Sequence, residues 1–124
     1  MKEKYRFMIC EPIFYSKPED LYYGGFTIKA MIEKRKLFGK FEQVAYIEMN
    51  AYYDKELGDR LVVHQNYDAD INGFKYKQNR MIGIHQHDTK SSDVFPQYME
   101  SLERLVTEWC LSLGKVKKIY NRFI

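Results

Sequence analysis

At 124 residues the chain has room for one hydrophobic core and is expected to fold as a single domain over residues 1–124. Its composition, 45% hydrophobic and 30% charged, is globular and excludes a disordered chain. A net charge of +3, from 20 basic and 17 acidic residues, is too small to imply nucleic-acid binding through bulk charge.

No apolar run approaches the roughly 20 residues that span a bilayer. None of signal-peptide length precedes Glu11 and Pro12, so a cytoplasmic location is expected, with no membrane partner. Cys10 and Cys110 lack metal-like spacing and read as two reduced, buried thiols. Eleven tyrosines are the one compositional oddity, and tyrosine suits both strands and binding surfaces.

In chain order, "YRFMIC" reads as a first strand that continues past Pro12 into "IFY". "SKPE", from Ser16 to Glu19, has a capping-box arrangement. It predicts a short helix or turn through "DLYY" that ends at Gly24 and Gly25. "FTIKAMIEKR" alternates, with Phe26, Ile28, Ala30 and Ile32 on one face and Thr27, Lys29, Met31 and Glu33 on the other. After a turn at "KLFGK", "FEQVAYIEMNAYY" returns as a strand with Ala45, Ile47, Met49 and Ala51 on one face. Tyr46, Glu48 and Tyr52 share its opposite face.

"DADINGF", residues 68 to 74, reproduces the opening of a calcium loop of the EF-hand kind. The twelfth position of that motif is Asn79, which cannot supply the closing carboxylate, and Lys75 and Lys77 would set two cations beside the ion. Asn72-Gly73 is instead a strong hairpin signal, because both residues tolerate the positive φ of a type I′ turn. That turn sets Ile71 opposite Phe74, Asp70 opposite Lys75, and Asp68 opposite Lys77. Carried onward, the register places Leu61, Val63, Tyr67, Ala69 and Ile71 on a core face with Phe74, Tyr76, Ile82 and Ile84. From Val94 the apolar spacing of Tyr98, Leu102, Leu105, Val106, Trp109 and Leu113 predicts a helix over 93–113. Ser92 or Asp93 can cap its start and Gly114 its end. Val116, Ile119, Tyr120 and Phe123 fit a short helix or an edge strand equally well.

The same hairpin register sets His64 opposite Met81 on the polar face, shared with His85 and His87 of "IGIHQHD". A His-x-His pair on a strand directs two imidazoles the same way and is a device for metal binding. The third ligand is missing, since His64 would lie roughly 13 Å from His85 at about 3.3 Å per residue. "HQHD" resembles the start of the signature of metallo-β-lactamase-like hydrolases, but its aspartate comes one residue early and the next histidine is absent. There is no Gly-rich phosphate loop, G-x-S-x-G elbow or Cys-x-x-Cys. Cys110, beside Trp109 on a core-bound helix, suits packing better than nucleophilic chemistry.

Two surfaces suit macromolecules. Tyr22, Tyr23, Tyr46, Tyr52 and Tyr53 are candidate anchors for another protein or for a homodimer. Lys34, Arg35, Lys36 and Lys40, interleaved with Phe38 and Phe41, form a basic loop over 33–41 that could grip phosphates and stack on bases. The tail adds Lys117 and Lys118. The expected fold is α+β, an antiparallel sheet of about five strands from two hairpins plus the N-terminal strand, with the long C-terminal helix packed on one face. The expected function is non-enzymatic: a small cytoplasmic protein that binds another protein, as an inhibitor of the immunity or phage counter-defence type, with no cofactor. The alternatives are a nucleic-acid binder using the basic loop and tail, and a small metal-dependent enzyme using His85 and His87.

Overall fold

The computed structural model describes residues 5–17, 20–36, 39–71, 74–112 and 116–118. Among them, seven strands form one sheet: β1 (Tyr5–Ile9), β2 (Ile13–Lys17), β3 (Asp20–Arg35), β4 (Phe41–Asp54), β5 (Arg60–Ile71), β6 (Phe74–Ile84) and β7 (Val116–Lys118). A single long helix, α1 (Ser91–Ser112), crosses one face. The strand order is β6-β5-β4-β3-β1-β7, with β2 also paired to β3. This is the expected α+β architecture, with an antiparallel sheet and one C-terminal helix. The sheet is wider than its two hairpins because β1 and β2 add antiparallel to β3 and β7 adds in parallel to β1.

The β3–β4 hairpin follows the alternation of its sequence. Phe26 pairs with Ala51, Ile28 with Met49, Ala30 with Ile47 and Ile32 with Ala45, and all eight side chains are buried. Tyr5, Phe7 and Ile9 extend this layer, and Leu102 and Val106 of α1 seal it, both with no exposed surface. Shedding the water from such apolar faces is the main force that docks the helix on the sheet. Val94 and Tyr98 are also buried, whereas Leu105 is 37% exposed and falls outside the stripe predicted for it. At 3.6 residues per turn, Leu105 lies to one side of the line through Tyr98, Leu102 and Val106.

Three other expectations are corrected. Pro12 splits the N-terminal strand: Ile9 pairs with Ala30 and Ile13 with Thr27, both along β3. Proline has no N–H to give to a ladder, which fits its place at this interruption. Asp20 to Tyr23 belong to β3 and not to a helix or turn, so the tendency to pair with β2 overrides the local capping signal. Helix α1 begins at Ser91, where neither Ser92 nor Asp93 is the cap. The hydroxyl of Tyr53 stands there, accepting from the Ser91 N–H at 3.1 Å and donating to the Thr89 carbonyl at 2.7 Å.

In the β5–β6 hairpin Ile71 pairs with Phe74, Asp70 with Lys75, Asp68 with Lys77 and His64 with Met81, as the turn chemistry predicts. Asn72 and Gly73 themselves lie outside the described residues, as do Leu113, Gly114 and residues 119–124. Beyond His64 the ladder shifts: Val63 pairs with Gly83 and Val62 with Ile84, so Ile82 is an extra residue on β6. A bulge of this kind reverses the facing of every later side chain. Ile84 therefore turns out of the expected core face and is 53% exposed, while His85 turns toward the helix.

Candidate functional surfaces

Among the described residues the helix covers one face of the sheet and no element covers the other. Along the middle of the open face runs a chain of hydrogen bonds. Thr27 Oγ1 donates to Asn50 Oδ1 at 2.6 Å, and Asn50 Nδ2 donates to Glu48 Oε1 at 2.8 Å. Asn66 Nδ2 reaches the same Glu48 oxygen at 3.3 Å. With the Thr27 hydroxyl proton committed to Asn50, the Tyr15 hydroxyl, 2.9 Å from Thr27 Oγ1, must be the donor of that contact. The network joins β2 to β5 across four strands and fixes the polar side chains of the face.

Tyr46 and Tyr52, two of the candidate anchors, stand on this face on either side of the network. Lys29 Nζ lies 4.6 Å from the ring centroid of Tyr46, a cation–π contact. Two open hollows, of about 330 and 380 Å³, meet beside Tyr46 and Asp68. Asp68 is 3.8 Å from Lys77, the ion pair that the hairpin register predicts. Tyr53 alternates to the helix side, where its hydroxyl holds the start of α1. The side chains of Tyr22 and Tyr23 lie outside the described part of the structure.

At the Tyr52 end the open face becomes apolar. Tyr52 pairs with Val62 across β4 and β5, and Val62 with Ile84 across β5 and β6. Val62 is fully buried between exposed neighbours: Tyr52 is 42%, Ile84 53% and Met81 40% exposed. The Tyr52 ring also stacks on His64, with centroids 5.6 Å apart and planes 10° from parallel. The five residues make one contiguous patch on three strands. Sequence alternation concealed it, because Ile84 reaches this face only through the bulge at Ile82. The signal that could have revealed it is Gly83, a glycine inside an otherwise apolar strand run.

The histidines do not gather. His64 is on the open face, and His85 is on the helix side with Nε2 2.7 Å from the Tyr98 hydroxyl. Partial burial lowers the His85 pKa below its ordinary value and raises that of Tyr98. Exposed His87 lies 3.0 Å from the Asp88 carboxylate. Among the described residues no group of three or more His, Cys, Asp and Glu side chains is placed to hold a metal ion. The Cys10 thiol is half-buried, and its pKa is raised mainly by burial, with Lys29 acting in the opposite direction.

The basic loop and the basic tail meet at one corner of the sheet. Tyr5 of β1 pairs with Lys34 of β3 on one side and Val116 of β7 on the other, and Arg6 stands between Glu33 and Lys117. Arg6 donates from Nε to Glu33 Oε1 at 2.9 Å and lies 3.7 Å from the Phe41 ring centroid. The Arg35 guanidinium lies 5.1 Å from the same ring, with its Nε buried and unpartnered. Lys36 pairs with Glu42. Phe38 lies outside the described residues.

Among the described residues no helix is long and apolar enough to cross a membrane. Compared with protein-family models, with curated proteins and with solved structures, the chain matches none.

Proposed function

We propose that this chain is a small cytoplasmic protein that acts by binding another protein, docking through the apolar patch around Val62 on the open sheet face. The observation that carries the reading is the exposure of Tyr52 on β4 and of Met81 and Ile84 on β6, the two strands that flank the buried Val62 of β5. Single exposed apolar residues are ordinary on a protein surface, but a contiguous patch rimmed by polar groups marks an interaction site. Tyrosine and methionine are the residue types enriched at such sites. The Tyr52 ring is already stacked on His64, so it loses little conformational freedom on docking. Within this reading the chain is an inhibitor of the immunity or phage counter-defence type, which acts by occupying its target in a stoichiometric complex.

The test is reconstitution. A protein captured by the chain from a relevant host lysate is purified and titrated against wild type and Ile84→Asp. The expected result is a one-to-one complex that Ile84→Asp weakens at least tenfold, while its thermal midpoint stays close to that of wild type. A complex indifferent to Ile84→Asp and to Met81→Asp contradicts the reading. So does a patch occupied in solution by a second copy of the chain, seen as a dimer that the same substitutions dissociate.

A further inference from the structure

We infer that the corner built from β1, β7 and the β3–β4 loop is a second binding surface, and that its ligand is the phosphate backbone of a nucleic acid. Its residues are separate in sequence and adjacent in the sheet. Arg6 comes from β1, Lys34, Arg35, Lys36 and Lys40 from β3 and its loop, and Lys117 and Lys118 from β7. Of the carboxylates near this corner, Glu33 and Glu42 pair with Arg6 and Lys36, while Asp68 and Asp70 line a hollow together with Glu42. Among the described residues Lys34, Arg35 and Lys40 have no carboxylate partner. Neighbouring strands are about 4.8 Å apart, inside the Debye length of about 8 Å at physiological salt. The fields of Arg6 on β1 and of the basic residues of β3 therefore add, although the net charge of the whole chain is only +3, and β7 stands one strand further out.

The chemistry favours phosphodiesters over an anionic lipid surface. Arg6 and Arg35 both lie against Phe41, which holds their guanidinium groups in defined orientations. A planar fork held in place suits the oxygens of a phosphate. Binding in a lipid interface relies on protruding apolar side chains, and among the described residues of the corner the Phe41 ring is instead occupied by the two guanidinium groups. The corner is also remote from the Val62 patch. Phe41 and Tyr52 sit at opposite ends of β4, roughly 36 Å apart at about 3.3 Å per residue. Failure of either surface therefore leaves the other standing.

The experiment is fluorescence anisotropy of the full chain with labelled single-stranded RNA, single-stranded DNA and duplex DNA, between about 50 and about 200 mM salt. Wild type is expected to bind, with log affinity falling linearly with log salt concentration. The triple variant Lys34→Ala/Lys36→Ala/Lys40→Ala is expected to bind at least tenfold more weakly. On single strands its salt slope should be shallower by about 2, because three fewer counterions are released. A control pair at the far end of the sheet, Lys55→Ala/Arg60→Ala, is expected to bind as wild type does. The inference is overturned by no binding at the lowest salt, by equal losses in the triple variant and the control, or by binding to phosphatidylserine vesicles without binding to nucleic acid. All substituted side chains are exposed or half-exposed, and circular dichroism verifies that each variant is folded.

Discussion

The Tyr98 hydroxyl reaches within 2.7 Å of His85 Nε2 through space that is open only because residue 83 has no side chain. A Cβ at Gly83 would lie 2.1 Å from the Tyr98 oxygen and 3.3 Å from its Cζ. The contact joins the first half of α1 to the end of β6, just past the bulge that turns Ile84 outward. Gly83→Ala is expected to destabilise the protein by about 2 kcal/mol, as overpacking does. Tyr98→Phe in that background should recover part of the loss, since it removes the atom in closest conflict. A double-mutant cycle in urea measures the coupling, and strict additivity would argue against this packing.

The same histidine gives the stability a pH dependence of defined sign. Burial holds the folded-state His85 pKa below its ordinary value of 6.5, so the unfolded chain takes up the proton first as pH falls. The contribution is therefore fully present above the ordinary value and is lost as pH falls through the folded one. Urea midpoints of wild type and His85→Gln are expected to converge as pH is lowered from about 8 to about 5. Midpoints that diverge on acidification would show that the charged form is the one favoured in the fold.

Tyr53 is expected to matter for the helix. Its hydroxyl accepts the Ser91 N–H and donates to Thr89, and four N–H groups at a helix start otherwise lack partners. Tyr53→Phe should cost about 1 to 2 kcal/mol, the scale of losing a cap. Amide hydrogen exchange should accelerate in the first turn of α1 and remain slow in β3 and β4. A uniform acceleration would mean that the ring, and not the cap, is what Tyr53 contributes.

Hydrophobic alternation made most of the sheet legible. The faces of β3 and β4 and the pairing of β5 with β6 up to His64 follow from side-chain period and one turn signal. What strict alternation could not convey is the insertion at Ile82. One extra residue sends Ile84 to the open face and His85 to the helix, dividing the histidines and creating the patch proposed as the binding site. The capping signal at Ser16 misled for a different reason: a local preference there yields to pairing between β2 and β3. Long-range pairing also explains why the basic corner was hidden, since β7 meets β1 from the far end of the chain.

Cys10 is expected to be a slow nucleophile. With its pKa raised by burial, little thiolate is present near neutrality. Iodoacetamide labelling followed by peptide mapping should modify Cys10 more slowly in the folded chain than in urea. Equal rates would show that the thiol is open to solvent.

The central claim is that a partner protein covers the Tyr52–Val62–Ile84 end of the open face. Hydrogen–deuterium exchange of the full chain, alone and with its purified partner, tests it most directly. The account predicts new protection over residues 50–54, 62–64 and 81–84, with residues 36–40 unchanged. Protection confined to residues 36–40, or to 13–15 on β2, would contradict it.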